Sequence, residues 1–417
     1  MNDIVRRCRL GILVIVAALA AAVPVWTQSR SLPDSPGTWK PWKPLVVGVS
    51  ARRAQAATPA LVKAFETELL ALNAIVHRAP GVVSPVGFSV ETWGSFGGYH
   101  MAEHAPGQPA AGGVPIIGGF TFAAFPIFEY ERNGKMVRSD TGETAQQLFE
   151  VNDISGDVMG RGGVAEWTTV SHDAFFQPMP QGEIAGLPRY ADMLIIARDP
   201  AALWTPLSQR GALDLVVAAR QQAVADAEMN VADLTARLAV VRDPAWRATQ
   251  MAAAREPNPS IPNAAAFVKQ VEELIVTEES EIVKDLAPSG NGAGKRLVDA
   301  RRALAEVTGW IAELSATDQA AASCYAEKGA TLRAKFRTVR SADCRPLVRP
   351  NYGYFNKALP RSAAQVLVIR PITRCFDTAN KNNGEANDPS PAGCRANRAL
   401  IETLDKNAVR AWLHIAE

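Results

Sequence analysis

The sequence predicts an α+β fold: an antiparallel sheet with a packing helix, plus a helical hairpin or bundle and a disulfide-stapled C-terminal segment. Short β-type runs separated by turn residues occupy 82–196 without intervening helices, which is typical of an antiparallel sheet. From residue 213 onward, apolar residues recur at steps of four and three, which indicates long amphipathic helices. Four cysteines lie in the last quarter of the chain and indicate cross-links.

The first residues have the pattern of a secretory signal. Three arginines within 6–9 precede an uncharged run over 10–26, and three alanines at 20–22 offer small residues to a signal peptidase. We therefore expect residues 1–27 to be removed and the mature protein to be periplasmic or secreted, and not an integral membrane protein. An uncleaved anchor is the alternative, because the apolar run is at the short limit for crossing a bilayer.

Residues 28–44 are rich in proline, serine and glycine, so we expect a tether before an α+β domain over 45–200. Thr58-Pro59 predicts the start of a helix over 58–78, since Thr is a good N-cap and Pro is favoured at the first helical position. One face of this helix is apolar, which predicts packing against a core. The residues of that face are Leu61, Phe65, Leu69, Leu72 and Val76.

Two further local signals concern the sheet. Asn133-Gly134 lies between two β-type runs and predicts a hairpin, because a type I′ turn needs positive φ at both central residues. Glycine and proline are dense over 94–119, so we expect a long surface loop there. A β-branched run at 366–369 resembles a buried strand, and we expect it to return to the N-terminal sheet.

Three helices are predicted after the sheet, with apolar stripes over 213–241, 264–286 and 295–314 and with breakers between them. Each has an apolar stripe that would be exposed if the helix stood alone, so together they predict a bundle or coiled-coil hairpin over 204–327. The stripe of the first helix is the longest. It consists of Leu213, Val217, Arg220, Val224, Ala227, Val231, Leu234, Leu238 and Val241.

Four cysteines remain if the signal is removed together with Cys8. Three of them lie in the C-terminal segment, 328–417, and Cys324 lies just before it. An even number in an exported chain predicts disulfides, and sequential pairing closes two loops of about twenty residues. Each loop would contribute about 3 kcal/mol on the loop-entropy estimate. A metal site is disfavoured because the chain has no C-x-x-C pair. Four cysteines allow three pairings, and the sequence does not decide among them; the sequential one joins Cys324 with Cys344 and Cys375 with Cys394. A closing helix is expected over 399–413.

Histidines provide one candidate metal site. His100 and His104 are four residues apart, with Glu103 beside them, and His172 could add a ligand. The competing interpretation is that these are solvated loop histidines, because glycine and proline flank the first pair. Apart from this metal ion, no cofactor is expected.

Two other motifs are discounted. The glycine-rich stretch 289–296 resembles a phosphate loop, but it lacks the first glycine, a Ser or Thr after Lys295, and a preceding strand. Ser171, His172 and Asp173 are neighbours in the chain and cannot converge as a catalytic triad must.

The stretch 333–374 is strongly basic, with only Asp343 opposing its cations. Such a stretch could bind an anionic envelope component, or its cations could pair internally with the acids of 272–285, which we favour. The formal net charge of +2 argues against a specific nucleic-acid binder. The basic residues are Arg333, Lys335, Arg337, Arg340, Arg345, Arg349, Lys357, Arg361, Arg370 and Arg374.

These observations predict an exported envelope module with a binding or structural role, whose ligand the sequence does not identify. No catalytic motif is evident. The alternative is an extracytoplasmic enzyme, metal-assisted, that uses the 94–119 loop with His100, His104 and His172.

Overall fold

The computed structural model describes residues 30–47, 58–98, 114–140, 144–159, 164–167, 174–256, 263–338, 343–371, 375–376 and 391–414. The chain forms two compact units. The first contains the described residues up to Asp153, those of Met179–Pro200 and those from Gly353 onward, and the second contains the rest. Each unit is therefore assembled from stretches that are distant in sequence.

The fold is α+β, with several antiparallel sheets. The strands are β1 Arg30–Ser31, β2 Lys43–Val47, β3 Phe88–Gly98, β4 Ile117–Pro126, β5 Phe128–Arg132, β6 Lys135–Ser139, β7 Ala145–Val151, β8 Phe175–Phe176, β9 Pro180–Ile184, β10 Leu187–Tyr190, β11 Met193–Ile196, β12 Trp204–Pro206, β13 Cys324–Tyr325, β14 Phe336–Arg337, β15 Arg345–Pro350 and β16 Leu367–Arg370. The helices are α1 Pro59–His77, α2 Gly156–Met159, α3 Gln209–Arg242, α4 Pro244–Arg255, α5 Ala264–Leu286, α6 Ala293–Glu313, α7 Ala316–Ala320, α8 Leu332–Lys335, α9 Pro391–Thr403 and α10 Lys406–Trp412.

The first unit is built on an eight-stranded sheet with the order β2-β3-β4-β7-β16-β11-β10-β9. Neighbouring strands are antiparallel except for β2 and β3, which are parallel. The β-branched run expected at 366–369 is strand β16, which pairs with β7 on one side and β11 on the other. It is buried because it lies inside the sheet.

Helix α1 covers one face of this sheet. It begins as expected at Thr58, whose hydroxyl accepts the backbone N–H of Leu61 at 3.3 Å. The buried side chains of α1 pack with the phenylalanines of β3, β4 and β7 in one core. Helices α9 and α10 contribute to the same core. They replace the single closing helix expected over 399–413, because Asp405 caps a new helix by accepting the N–H groups of Asn407 and Ala408.

The segment predicted as a tether is packed onto the first unit from residue 30 onward. Strand β1 pairs with β5, and β2 pairs with β3. Trp39 donates its indole N–H to the carbonyl of Val82 at 2.8 Å, and Trp42 stacks on Phe120 with ring centroids 5.9 Å apart. The two half-buried indoles attach this segment to the unit and so distinguish it from a free tether, because large aromatic side chains contribute strongly to packing. The extended backbone that its prolines favour is compatible with strand pairing.

The long loop expected over 94–119 is wrong in its bounds, because both ends of this stretch belong to strands. Strand β3 continues to Gly98 and β4 begins at Ile117, so the connection spans 99–116. Glycine is needed inside these strands for close packing. A Cβ on Gly118 would lie 2.3 Å from Cε1 of Phe65, and a Cβ on Gly94 would lie 2.9 Å from Cδ1 of Leu69.

The hairpin prediction at Asn133-Gly134 is confirmed. These residues connect β5 and β6 with φ of 53° and 73°, which are the positive values that a type I′ turn requires. The three-stranded sheet β1-β5-β6 is formed around this hairpin.

The second unit contains the predicted bundle. Helix α3 is 34 residues long and packs along α5 and α6. Its predicted stripe is its least exposed face, but burial is uneven: Leu213 and Val241 are fully buried, whereas Val224, Val231 and Leu234 are half-buried. The neighbouring helices of the bundle do not cover the middle of the α3 stripe completely, so its side chains there are half-buried and not fully buried.

Breakers within the bundle have structural roles of their own. Pro244 begins helix α4 because it follows the N-cap Asp243, whose carboxylate accepts the N–H of Ala245 at 2.9 Å. The glycine-rich stretch after Pro288 joins α5 to α6, where a Cβ on Gly292 would lie 2.4 Å from the carbonyl oxygen of Asp285. The glycines therefore permit a tight helix–helix connection.

The prediction that the four cysteines form disulfides is confirmed, and of the three possible pairings the structure has the sequential one. Cys324 is bonded to Cys344 in the second unit, and Cys375 is bonded to Cys394 in the first, with Cα–Cα distances of 5.5 and 5.0 Å. The first bond lies beside the paired strands β13 and β15, and the second anchors helix α9. Within the part of the chain that the structure describes, no helix is both long and apolar enough to cross a bilayer.

Candidate functional site

The histidines of the predicted metal site, His100, His104 and His172, all lie outside the described residues. Among the residues that are described, no group of three or more His, Cys, Asp or Glu side chains could hold a metal ion. The metal-assisted enzyme therefore stays a prediction from sequence.

Of the eight cations of the basic stretch that the structure describes, five form ion pairs with carboxylates of this protein, but none of these carboxylates belongs to the acids of 272–285 expected from the sequence. Arg340 and Arg374 lie outside the described residues. The pairs are Arg333–Glu313 at 2.5 Å, Lys335–Glu166 at 2.6 Å, Arg337–Asp343 at 3.5 Å, Arg345–Glu327 at 3.1 Å and Arg370–Glu150 at 2.6 Å.

The expected partners of those cations were wrong. The acids of 272–285 lie on helix α5, where Glu278 pairs with Arg237 and Glu279 pairs with Arg242 and Arg247. These arginines belong to α3 and α4, which pack beside α5 in the bundle. The glutamates of α5 therefore pair with the arginines of the helices packed beside them, and the sequence alone does not show which helices these are.

One cluster of the second unit joins two polar side chains to Glu166, whose side chain is 8% exposed. The carboxylate accepts the hydroxyl of Tyr325 at 2.5 Å and the ammonium of Lys335 at 2.6 Å. Burial raises the pKa of Glu166, but the hydrogen bonds from Lys335 and Tyr325 outweigh it and the net pKa is lowered. Burial and the same carboxylate raise the pKa of Tyr325. The cluster therefore stays an ion pair with a protonated tyrosine, which ties 164–167 to β13 and α8.

A cleft in the first unit is the best candidate for a binding site. It has a volume of about 290 Å³ and lies on the sheet where β3, β4 and β7 run side by side. The residues that form its floor and walls include Ser95, Gly97, Gly119, Thr121, Leu148 and Glu150.

Strand alternation builds this cleft. Phe96, Phe120 and Phe149 point into the core shared with α1, so their neighbours point to the opposite face of the sheet. On that face, Ser95 is the register partner of Gly119, and Gly119 is the register partner of Glu150. The three residues form one row across three strands, with no side chain at its centre.

The glycines make the floor. A Cβ on Gly119 would lie 3.3 Å from the Ser95 hydroxyl oxygen and 3.2 Å from the Phe149 carbonyl oxygen. A Cβ on Gly97 would similarly lie 3.0 Å from Cγ1 of Ile117. Any larger residue at these positions would fill the depression, so the cleft exists because the sheet carries glycine there.

The walls combine apolar and polar groups. The apolar part is Leu148, which is 37% exposed. Its register partner on β4 is Thr121, which adds a hydroxyl group. Glu150 is held in place by Arg370 of β16, whose Nε donates to Oε2 at 2.6 Å. The two side chains are only 22% and 12% exposed, so this charge-assisted bond orients the carboxylate in a partly desolvated position.

The first unit is thus an α+β sheet structure, helix-covered on one face and bearing a glycine-floored cleft on the other. Neither protein-family models, nor curated proteins, nor solved structures match the chain. Function is therefore argued from the geometry of the cleft.

The sequence does not reveal the cleft, although it shows the glycines that form its floor, because a high density of glycine over 94–119 is also typical of a loop. The informative pattern is the alternation of Ser95 and Gly97 on β3, opposite Gly119 and Thr121 on β4. It becomes a signal only when the two strands are known to pair.

Proposed function

We propose that this protein is an exported binding module that holds a small ligand in the cleft between Ser95 and Glu150. The observation that carries the proposal is the row Ser95–Gly119–Glu150, where glycine leaves a gap between two polar side chains on an ordered sheet. Pockets for small molecules typically measure about 300–1,000 Å³. A cleft of about 290 Å³ therefore suits a ligand at the small end of that range.

The cleft carries the proposal in preference to the basic stretch. A surface that binds an anionic envelope component needs cations that are available to it, and five of those in 333–374 already pair with carboxylates. Export is supported by the two disulfides, since such bonds persist mainly in oxidising compartments.

The proposal is tested by thermal unfolding with a panel of small probes at millimolar concentration: D-glucose, D-ribose, N-acetylglucosamine, L-glutamate and putrescine. A ligand that binds only the folded state raises Tm by mass action. We expect at least one probe to raise Tm of the protein. Ser95→Leu should abolish that rise, because Ser95 is exposed and a leucine there occupies the cleft without disturbing the core.

The matched control is Gln146→Leu. Gln146 is also exposed on the same face of the sheet, on β7, but it does not line the cleft. This variant should keep the probe-induced rise in Tm. The proposal is wrong if no probe changes Tm, or if Ser95→Leu and Gln146→Leu respond to the probes alike.

A further inference from the structure

We propose that the outer edge of strand β6, Lys135–Ser139, binds an extended acidic segment of a partner protein as an added β-strand. The proposal is independent of the cleft, because it concerns the three-stranded sheet β1-β5-β6 of the first unit. Three properties of this edge carry it: free main-chain groups, cations without carboxylate partners, and an anchored position.

The first property is the free main chain of β6. The strand pairs with β5 on one side, and no described strand pairs with its other side. In a type I′ turn the last residue donates its N–H to the carbonyl of the first, so Lys135 bonds inward to Arg132. Hydrogen bonding alternates along an antiparallel strand, so Met136 and Arg138 direct their N–H and C=O groups outward. These two donors and two acceptors are what an added strand needs.

The second property is the charge on one face of the hairpin. Side chains alternate along a strand, so Lys135 and Val137 share a face with Arg132, whereas the acids of β5, Glu129 and Glu131, lie on the opposite face. Arg132 and Lys135 are exposed register partners, and neither forms an ion pair within the described part of the chain. An added strand therefore gains most when it places a carboxylate opposite Lys135.

The same face also defines a second position of the ligand. Val137 is half-buried beside Tyr130, its register partner on β5. An apolar side chain placed opposite Val137 extends the row that these two residues form. Neighbouring positions on one face are two residues apart along a strand. The matching segment therefore has a carboxylate and an apolar residue at positions i and i+2.

The third property is that the edge is held in place. The Arg138 guanidinium donates to the carbonyl of Pro36 at 2.5 Å, and Asp140, just after β6, pairs with Lys40 at 3.4 Å. Both contacts join the hairpin to the N-terminal part of the first unit. A strand edge that is fixed before binding loses little conformational entropy when a partner pairs with it.

A second copy of this chain fits the edge less well. Strand β6 carries Lys135 and Arg138 and no acid, and charged residues on an edge strand commonly oppose self-pairing. Two β6 edges would also bring together only five residues each, whereas a stable protein interface takes about 20–30 residues a side. An added peptide strand binds through main-chain hydrogen bonds, and the same cations attract its carboxylates.

The test is a titration of the oxidised, full-length protein with three fluorescein-labelled decapeptides, followed by fluorescence anisotropy. In the acidic peptide, threonine alternates with glutamate, valine and glutamate, so a glutamate meets Lys135 whichever way the strand runs. The second peptide has glutamine in place of glutamate. The third has proline in place of the two threonines that meet Met136 and Arg138.

We expect the acidic peptide to bind. The glutamine peptide should bind about threefold more weakly, or worse, which is the range of an exposed ion pair. The proline peptide should not bind, because proline cannot donate to a strand ladder. Raising NaCl from about 50 to about 500 mM should weaken the acidic peptide more than the glutamine peptide, since salt screens exposed charges.

Two variants locate the site on the protein. Lys135→Glu places like charges opposite each other and should weaken binding of the acidic peptide about threefold to tenfold. Its matched control is Lys63→Glu, the same change at an exposed position of α1, which should leave the affinity unchanged. Met136→Pro removes one outward N–H while the ladder with β5 remains, and should weaken binding about threefold to tenfold, the effect of one hydrogen bond.

The proposal is overturned if the acidic peptide does not bind, if the glutamine peptide binds equally well, or if Lys135→Glu and Lys63→Glu have the same effect. Binding that depends on Lys135 but persists with the proline peptide shows attraction by charge alone, and overturns strand addition. A concentration-dependent dimer that Met136→Pro abolishes, without peptide binding, assigns the edge to a second copy and also overturns the proposal. If Met136→Pro fails to fold, the proline peptide decides that point, because it is added to the native protein.

Discussion

At the scale of single residues, glycines control the shape of the first unit. Gly118 and Gly119 are adjacent on β4 but serve opposite faces of the sheet. The missing side chain of Gly118 admits Phe65 of α1 into the core, whereas that of Gly119 leaves the cleft open beside Ser95. Two neighbouring glycines therefore have different purposes, one in packing and the other in the candidate site.

Charged residues of this unit make its stability depend on pH. Burial raises the pKa of Asp140, but the hydrogen bond with Ser89 and the charge of Lys40, 3.4 Å away, outweigh it, so the net pKa lies below the ordinary value of 3.8. A carboxyl whose pKa is lowered by folding stabilises the protein above the unfolded pKa. That contribution is lost as the pH falls through the folded-state pKa.

We therefore expect Asp140→Asn to lower Tm at pH 7, and this difference to shrink as the pH falls below 3.8 and through the folded-state pKa, where the native carboxyl becomes protonated as well. Thermal unfolding over a series of pH values from 7 down to about 2 measures the difference between variant and native protein. Asp34→Asn, at an exposed position of the same unit, is the control. A difference for Asp140→Asn that does not change over this series would contradict the role of its charge.

At the scale of elements, the stripe of α3 holds the bundle together. Its C-terminal half packs in a small core with α4 and α5, in which Leu234 and Leu238 are half-buried around Val241, Ile275 and Ile282. Its N-terminal half packs in a separate core with α6 and with strands β8, β13, β14 and β15. The helix thus connects two cores that would otherwise be independent.

Leu234→Asp should lower Tm markedly, because it removes apolar contact and places a charge in the core, at a cost of about 1–3 kcal/mol. Gln221→Asp lies on the exposed face of the same helix and should have little effect. Thermal unfolding of both variants, followed by circular dichroism at 222 nm, provides the measurement. Small and equal effects would mean that α3 does not depend on the bundle.

At the scale of the whole molecule, the disulfides and the N-terminal pattern point to the same compartment. Each unit contains one disulfide, so neither unit depends on the other for its cross-link. On the loop-entropy estimate, each bond contributes about 3 kcal/mol, a large share of a typical domain's net stability.

We expect cell fractionation to place the protein outside the cytoplasm, with residues 1–27 removed, and thiol counting under denaturing, non-reducing conditions to find no free cysteine. Reduction before denaturation should expose four thiols per chain. A cytosolic protein that retains 10–22, or an exported protein with four free thiols, would contradict this prediction.

Some features were determined by the sequence alone because their physics is local. The caps at Thr58 and the turn at Asn133-Gly134 depend on a few adjacent residues, and both are found as predicted. The helical stripes depend on a period of a few residues, so α3, α5 and α6 were located to within a few positions. The number of cysteines predicted two disulfides, and both are present, but only the tertiary structure decided which cysteines pair.

Other features were decided only by the tertiary structure, because they join residues that are distant in the chain. Arg370 meets Glu150 because β16 pairs with β7, and the cleft exists because Ser95, Gly119 and Glu150 fall in one register across three strands. A strand has two faces, and its own residues do not reveal which face will be covered by a helix. The glycines over 94–119 are therefore typical of a loop in the sequence, and only the folded sheet shows that Gly97 and Gly119 form the floor of a cleft.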